Sequence, residues 1–267
     1  MIRLLCLALG LLTLAPAGRA AEPTEIRIAY LRWMEPKQSL SLLQIAAENN
    51  GVAGAQLAVD DNNTTGKFLN QRFLLEEVRL KPGDDVAGAA AGLGDRNISL
   101  AIADLPADAL LKAADAARGR NVLFFNAGAI DDRLREEECR ANVVHTAPTR
   151  SMLADGLAQY LAWKRWRRWL LIVGSHADDK LFAEALRRAA SRFGAKIVQE
   201  RVFEDEGGGR RSDSGLVQVQ RQMPVLTQQA PDHDVLVAAD ESEVFAGYLP
   251  YRTWTRDRSQ ARPGSSR

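Results

Sequence analysis

The sequence predicts an α/β protein of two lobes, each built on a parallel sheet. Three observations lead there. Short apolar runs alternate with stretches whose apolar residues recur at helical spacing. The apolar runs are continuous, as strands buried on both faces require. The alternation also occurs twice, with the charged connector Asp131–Arg140 between the two series.

In the first series Ile26–Leu31 (IRIAYL) reads as a strand. Leu42, Ile45 and Ala46 begin a helical stretch, and Val52, Ala55 and Val59 continue one. Phe73–Leu80 is the second strand. Val86, Ala89, Ala90 and Leu93 then match the i, i+3, i+4, i+7 template of an amphipathic helix. Ile98–Ala103 is the third strand, Ala109, Leu110, Ala113 and Ala117 mark the next helix, and Asn121–Phe125 is the fourth strand.

The second series opens with a short strand at Asn142–His145 and a helical stripe of Leu153, Leu157, Tyr160 and Leu161. Trp169–Val173 (WLLIV) is a buried strand. Phe182, Ala185, Leu186, Ala189 and Phe193 form a helix that Gly194 closes from the C′ position. Ala195–Val202 is a strand, and the Gly-rich Glu204–Ser214 is a loop. Leu216, Val219 and Met223 suggest a helix disturbed by Pro224. Asp234–Ala238 is the last strand.

The chain ends differ in composition from this body. Arg3, the apolar Leu4–Leu14 and the small residues Gly18 and Ala20 follow the order of a secretory signal peptide. The run is too short to span a bilayer. Thr255–Arg267 has no apolar periodicity. The expected division is a signal peptide at 1–20, an N-terminal lobe at 21–130, an incomplete C-terminal lobe at 131–254, and a disordered or frameshifted tail at 255–267. The mature chain is then an exported protein with no membrane insertion after signal cleavage.

Composition excludes several classes. Thirty-five Lys and Arg face 34 Asp and Glu, so whole-chain charge gives no reason to expect nucleic acid or an anionic membrane as partner. Once Cys6 leaves with the signal, only Cys139 remains. No internal disulfide is possible, and Cys139 is expected as a small core residue.

Catalytic spacing is missing. The loop after the first strand, Arg32–Pro36, has no glycine and so no dinucleotide fingerprint. Thr64-Thr65-Gly66-Lys67 only echoes a phosphate loop: Asn62 stands where its first glycine belongs. His145, His176 and His233 form no zinc-binding pair, and no G-x-S-x-G elbow occurs. Asp60-Asp61 and Asp178-Asp179 read as helix ends and caps. Lys164–Arg168 with Trp163, Trp166 and Trp169 reads as surface charge with anchoring tryptophans. Asn62, Asn63 and Asn97 fit N-x-[ST], which matters only in a glycosylating host. No cofactor or metal is expected, and the chain reads as a non-enzyme.

Parallel α/β sheets bind ligands beyond the carboxyl ends of their strands. The residues there suit binding. Trp33 offers an apolar wall and Arg32 a carboxylate fork. Asp104 follows the third strand, and Asn126, Ala127 and Gly128 follow the fourth. Thr149 and Arg150 open a helix, where unpaired N–H groups favour an anion. His176 and Asp240 end strands of the second lobe.

Gly54–Asn63 (GAQLAVDDNN) resembles the helix after the first strand in leucine/isoleucine/valine-type ABC transporter binding proteins. His145–Thr149 is similar to their entry into the second lobe, and Phe182–Val202 to their helix–strand unit. IRIAYLRW, GAQLAVDDNNTTGKFL and YLPYRTW resemble more narrowly a subgroup associated with PQQ-dependent alcohol dehydrogenases. The likeness runs from about residue 25 to Trp254. It lacks the family's double glycine near Gly66 and its continuation past Trp254.

The resemblance implies a type I periplasmic binding protein fold that closes two lobes on a small polar ligand. It implies an ABC transporter permease, or a periplasmic PQQ-dependent dehydrogenase, as partner. Asp104, Asn126, Gly128 and Thr149 occupy loops that match the family's ligand contacts. The other role it implies is an accessory of periplasmic alcohol oxidation, working through protein or cofactor contacts.

Overall fold

A computed structural model of the chain describes residues 22–34, 47–205 and 213–249. The expected signal peptide, the tail, the helix start at Leu42–Ala46 and most of the Gly-rich loop lie outside the described residues. Among the described residues, eight parallel strands form two sheets, one ordered β2-β1-β3-β4-β5 and the other β7-β6-β8.

The first sheet comprises β1 (Thr24–Trp33), β2 (Gln71–Leu80), β3 (Leu100–Asp104), β4 (Leu123–Asn126) and β5 (Val143–His145). Every adjacent pair is parallel, with Ile28 of β1 opposite Leu75 of β2 and Leu100 of β3. β5 was expected to open the second lobe. Its ladder with β4, Phe124 opposite Val143, makes it the last strand of the first sheet.

Residues alternate between sheet faces. Ala29 and Leu31 of β1, Ala101 and Ala103 of β3 and Phe124 of β4 form a core with α2 (Val86–Asp95) and α3 (Ala107–Ala116). α2 buries Val86, Ala90 and Leu93 at the expected spacing. Its N-cap is Asp85, which accepts a hydrogen bond from the Gly88 N–H at 2.9 Å. α1 (Val52–Gly66) packs on β2. There the Asn63 amide accepts from the Phe73 N–H and donates to the Phe73 carbonyl, so a side chain extends the strand's ladder.

The second sheet comprises β6 (Arg168–Gly174), β7 (Lys196–Phe203) and β8 (Val235–Ala239). β6 is central, and all but its first residue are buried. α4 (Arg150–Trp163) and α5 (Ala177–Arg192) cover one face, over Trp169, Leu171 and Val173. α6 (Asp213–Thr227) covers the other, with Val219, Met223 and Leu226 on Ile172 and Phe203. This helix runs through Pro224 instead of breaking there. Met223 and Leu226, buried on either side of the proline, hold it against the sheet.

Two expectations about burial change. Cys139 is exposed, because it sits in the turn before β5 and outside both cores. α4 is rotated from its expected phase. Its buried residues include Ala154, Ala158 and Leu161, while Leu153, Leu157 and Tyr160 are exposed. Alanines let α4 sit close beside α5, leaving its larger side chains on the outer face. Of the three tryptophans near the basic cluster, Trp169 is fully buried, Trp166 is partly open and Trp163 is 72% exposed, with Lys164 Nζ 4.5 Å from its ring centre.

This rotation is measurable. Ala158→Leu is expected to cost about 1–3 kcal/mol by overpacking. Leu157→Ala, on the outer face, should stay within about 0.5 kcal/mol. Urea unfolding of both variants checks the pair, and the opposite order would restore the expected phase.

Candidate ligand-binding site

The carboxyl ends of both sheets open onto one cleft of about 760 Å3. Its first wall is made of helix starts: Asp84–Ala87 at α2 and Pro106–Ala109 at α3. Trp33 and the loop Gly128–Asp131 form the floor. Arg150, Asp178 and Glu241 come from the N-terminus of α4, the N-terminus of α5 and the loop after β8. Lys112 and Arg133 complete the charged lining.

Arg150 joins the two sides. It is only 5% exposed. Its Nε and Nη2 donate to the two Glu241 carboxylate oxygens at 2.6 and 2.7 Å, a bidentate pair. Nη1 lies 3.1 Å from Asp131, and Nη2 lies 3.4 Å from Asp178. Burial works against the guanidinium charge, but the bonds and field of Glu241, with Asp131, outweigh it and hold the pKa above its ordinary value. For Glu241 the balance goes the other way. Burial pushes its carboxyl up, and Arg150 offsets this only in part.

The first four N–H groups of α4 are all engaged. Arg150 donates to the Ile130 carbonyl at 2.8 Å and Ser151 to Asp132 at 3.4 Å. Met152 donates to the Thr149 hydroxyl at 3.2 Å and Leu153 to the Thr149 carbonyl at 3.0 Å. The sequence pointed to unpaired N–H groups here. The structure pairs them, because the connector folds back on the helix start.

Trp33, Gly128 and Arg150 are brought together on the cleft. The other expected residues have their polar atoms engaged around it. The Asn126 amide donates to the Ala129 carbonyl at 2.7 Å and accepts from the Ala129 N–H at 2.9 Å. It also lies 3.0 Å from His145 Nδ1. Burial, with the charge of Arg135 beside it, lowers the His145 pKa, although a backbone hydrogen bond at Leu134 works the other way. The Asn126 carbonyl accepts from the Thr146 hydroxyl and from the Thr146 and Ala147 N–H groups. Ala127 is exposed, and its N–H donates to Ala103.

Asp104 accepts from the Tyr30 hydroxyl at 3.0 Å, and burial with that carboxylate pushes the Tyr30 pKa up to about 12. Gly128 lies so close that an added Cβ would fall 2.8 Å from Asp104 Oδ1, so the floor needs glycine there. Arg32 bonds Glu77 and the Glu48 carbonyl. His176 Nε2 is 2.8 Å from Asp205. Asp240 accepts from the Val244, Phe245 and Ala246 N–H groups at 2.6–2.8 Å and fixes the loop that carries Glu241.

Sequence reasoning did not single out Glu241, Asp131 or the carboxylates of the first wall. Glu241 adjoins an expected residue, and Asp84 and Asp85 follow a predicted strand, so the same strand-end rule reaches them. Asp178 was read as a cap. Its neighbour Asp179 does that work: fully buried, it accepts from the His176 N–H and from Ser242. Among the described residues, no group of three or more His, Cys, Asp or Glu could hold a metal ion. Among the same residues, no helix is long and apolar enough to cross a membrane.

A family model described as periplasmic binding protein matches residues 42–209. No curated protein sequence matches the chain. Solved structures of similar fold include a branched-chain amino acid ABC transporter periplasmic ligand-binding protein from Burkholderia xenovorans. It has a TM-score of 0.57 and 18% identity, over 85% of this chain and 58% of that one. An ABC transporter substrate-binding protein from Desulfitobacterium hafniense in complex with Leu gives 0.54 and 18%, over 80% and 58%. An R. palustris solute binding protein in complex with benzoate gives 0.52 and 10%, over 80% and 55%. At such identities the likeness carries the fold alone. The chain spans less than two thirds of the length of each of these structures.

The Arg150 cluster gives a second test. Arg150→Ala leaves the half-buried Glu241 and Asp131 without their cation and is expected to cost about 1–3 kcal/mol in denaturant unfolding. Arg150→Met combined with Glu241→Met should cost clearly less, because it removes both members of the bidentate pair. Equal losses would mean that the pair is not coupled.

Proposed function

Because the chain belongs to the periplasmic binding protein family, we propose that it is the periplasmic substrate-binding component of an ABC transporter. In this reading it closes two lobes on a small polar ligand and transforms nothing. The observation that carries it is the cleft at the carboxyl ends of both sheets, with Arg150 bonded across it. Closure requires contacts from both sides, since only differential affinity shifts such an equilibrium. Trp33 and Gly128 contribute from the first sheet, and Arg150 and Glu241 from the second side.

Calorimetry against amino acids, aromatic carboxylates and alkyl amines tests this. One of these classes should give saturable binding with one ligand per chain. Ala87→Trp, which fills the mouth at the start of α2, should abolish it without lowering the melting temperature. Absence of saturable binding across all three classes would overturn the reading.

The finer reading is that this ligand belongs to PQQ-dependent alcohol oxidation, as the segments IRIAYLRW and YLPYRTW suggest by resemblance. One observation favours the accessory alternative, in which the chain works by protein contact. The outer face of α4 exposes Met152, Leu153, Leu157, Tyr160 and Trp163, the kind of aromatic surface that interfaces use. Retention of a periplasmic PQQ-dependent dehydrogenase by the immobilised chain, lost in Trp163→Asp, is the expected outcome for that role.

A further inference from the structure

The charges of the cleft say which kind of small molecule it suits, given that it is the ligand site. Among the described residues, six carboxylates line it, against three cations. Asp84, Asp85 and Asp108 stand on the first wall, and Asp131, Asp178 and Glu241 stand opposite and below. Two of the cations are already committed. Arg133 pairs with Asp108 and Glu138, each at 2.6 Å. Arg150 is shared among Glu241, Asp131 and Asp178. Among the described residues, Lys112 is the only lining cation outside these pairs.

The other usual anchors for an anion are helix N-termini. Here the protein's own groups occupy the start of α4 and part of the start of α2, and they set carboxylates beside the starts of α3 and α5, α3 having no side-chain cap. Asp85 takes an N–H of α2, Asp108 sits in the first turn of α3, and Asp179 caps α5. The first four N–H groups of α4 are engaged by Ile130, Asp132 and Thr149. Among the described residues, an entering carboxylate would meet a net negative field in which Lys112 is the one lining cation outside the ion pairs. An ammonium would meet carboxylates from both sides, in a cleft whose walls focus that field. Trp33 supplies a surface for an alkyl chain and a ring face for a cation. Burial raises the Glu241 pKa, and the nearby Asp178 and Asp131 add to that rise, so Arg150 offsets it only in part.

We propose that the cleft takes an organic cation, an alkyl amine or diamine, with its ammonium seated among the carboxylates in excess of Arg133 and Arg150. The inference rests on the cleft being the ligand site, and the experiment separates the two. Calorimetry of the full chain uses 1,4-diaminobutane, butylamine, butyrate, benzoate and leucine at one ionic strength. The diamine should bind, lose affinity as salt rises, and fail to bind Ala87→Trp. Glu241→Gln should weaken it about tenfold, the worth of one charge-assisted hydrogen bond. Because Glu241 also holds Arg150, Asp84→Asn on the opposite wall is the second variant. It should weaken binding with an unchanged melting temperature. Butyrate, benzoate or leucine binding without either amine would overturn the proposal and leave the binding-protein reading intact. Diamine binding indifferent to both carboxylate variants would also overturn it. Silence from every probe would remove both.

Discussion

Arg150 carries one positive charge into a place where three separate segments bring carboxylates. Asp131 arrives from the loop after β4, Asp178 from the start of α5, and Glu241 from the loop after β8. Taking the guanidinium out of water is costly, and the cost is offset while its fork stays in register with Glu241. The position of Arg150 is itself fixed by its N–H bond to Ile130. The cleft therefore has the shape that this cluster allows. Its floor, its second wall and the start of α4 are tied at one point.

The architecture was legible because its cause is local. A strand buried on both faces must be apolar throughout, and WLLIV at Trp169–Val173 is that statement in residues. Helix phase was less legible. Reading α4 by its large residues chose Leu153, Leu157 and Tyr160, but the neighbouring helix selects for closeness, and Ala154 and Ala158 provide it. Size and burial part company wherever two helices approach tightly. The place of β5 was not legible either. Three residues hold too little pattern to say which sheet they join, and only the ladder with β4 decides it.

The candidate site was legible in outline. The cleft lies at the strand ends that the sequence singled out, and Trp33, Gly128 and Arg150 line it. The rule does not distinguish a polar residue that faces the cleft from one that builds its rim. Asn126, Thr149 and Asp240 look equally available in sequence, yet each satisfies backbone groups that the loops would otherwise leave unpaired. Charge sharing was invisible for a similar reason. That Arg133 and Arg150 are both spoken for depends on carboxylates far away in the chain.

Asn126 has a consequence for how the two sheets can turn. Its side chain grips Ala129 in the floor, and its carbonyl holds Thr146 and Ala147 where the chain leaves the first sheet. One residue is thus the fulcrum for both. Because Asn126 ends β4, its hold on Ala129 lies within the first sheet's side, and a turn of the second sheet would bear on the Thr146 and Ala147 bonds instead.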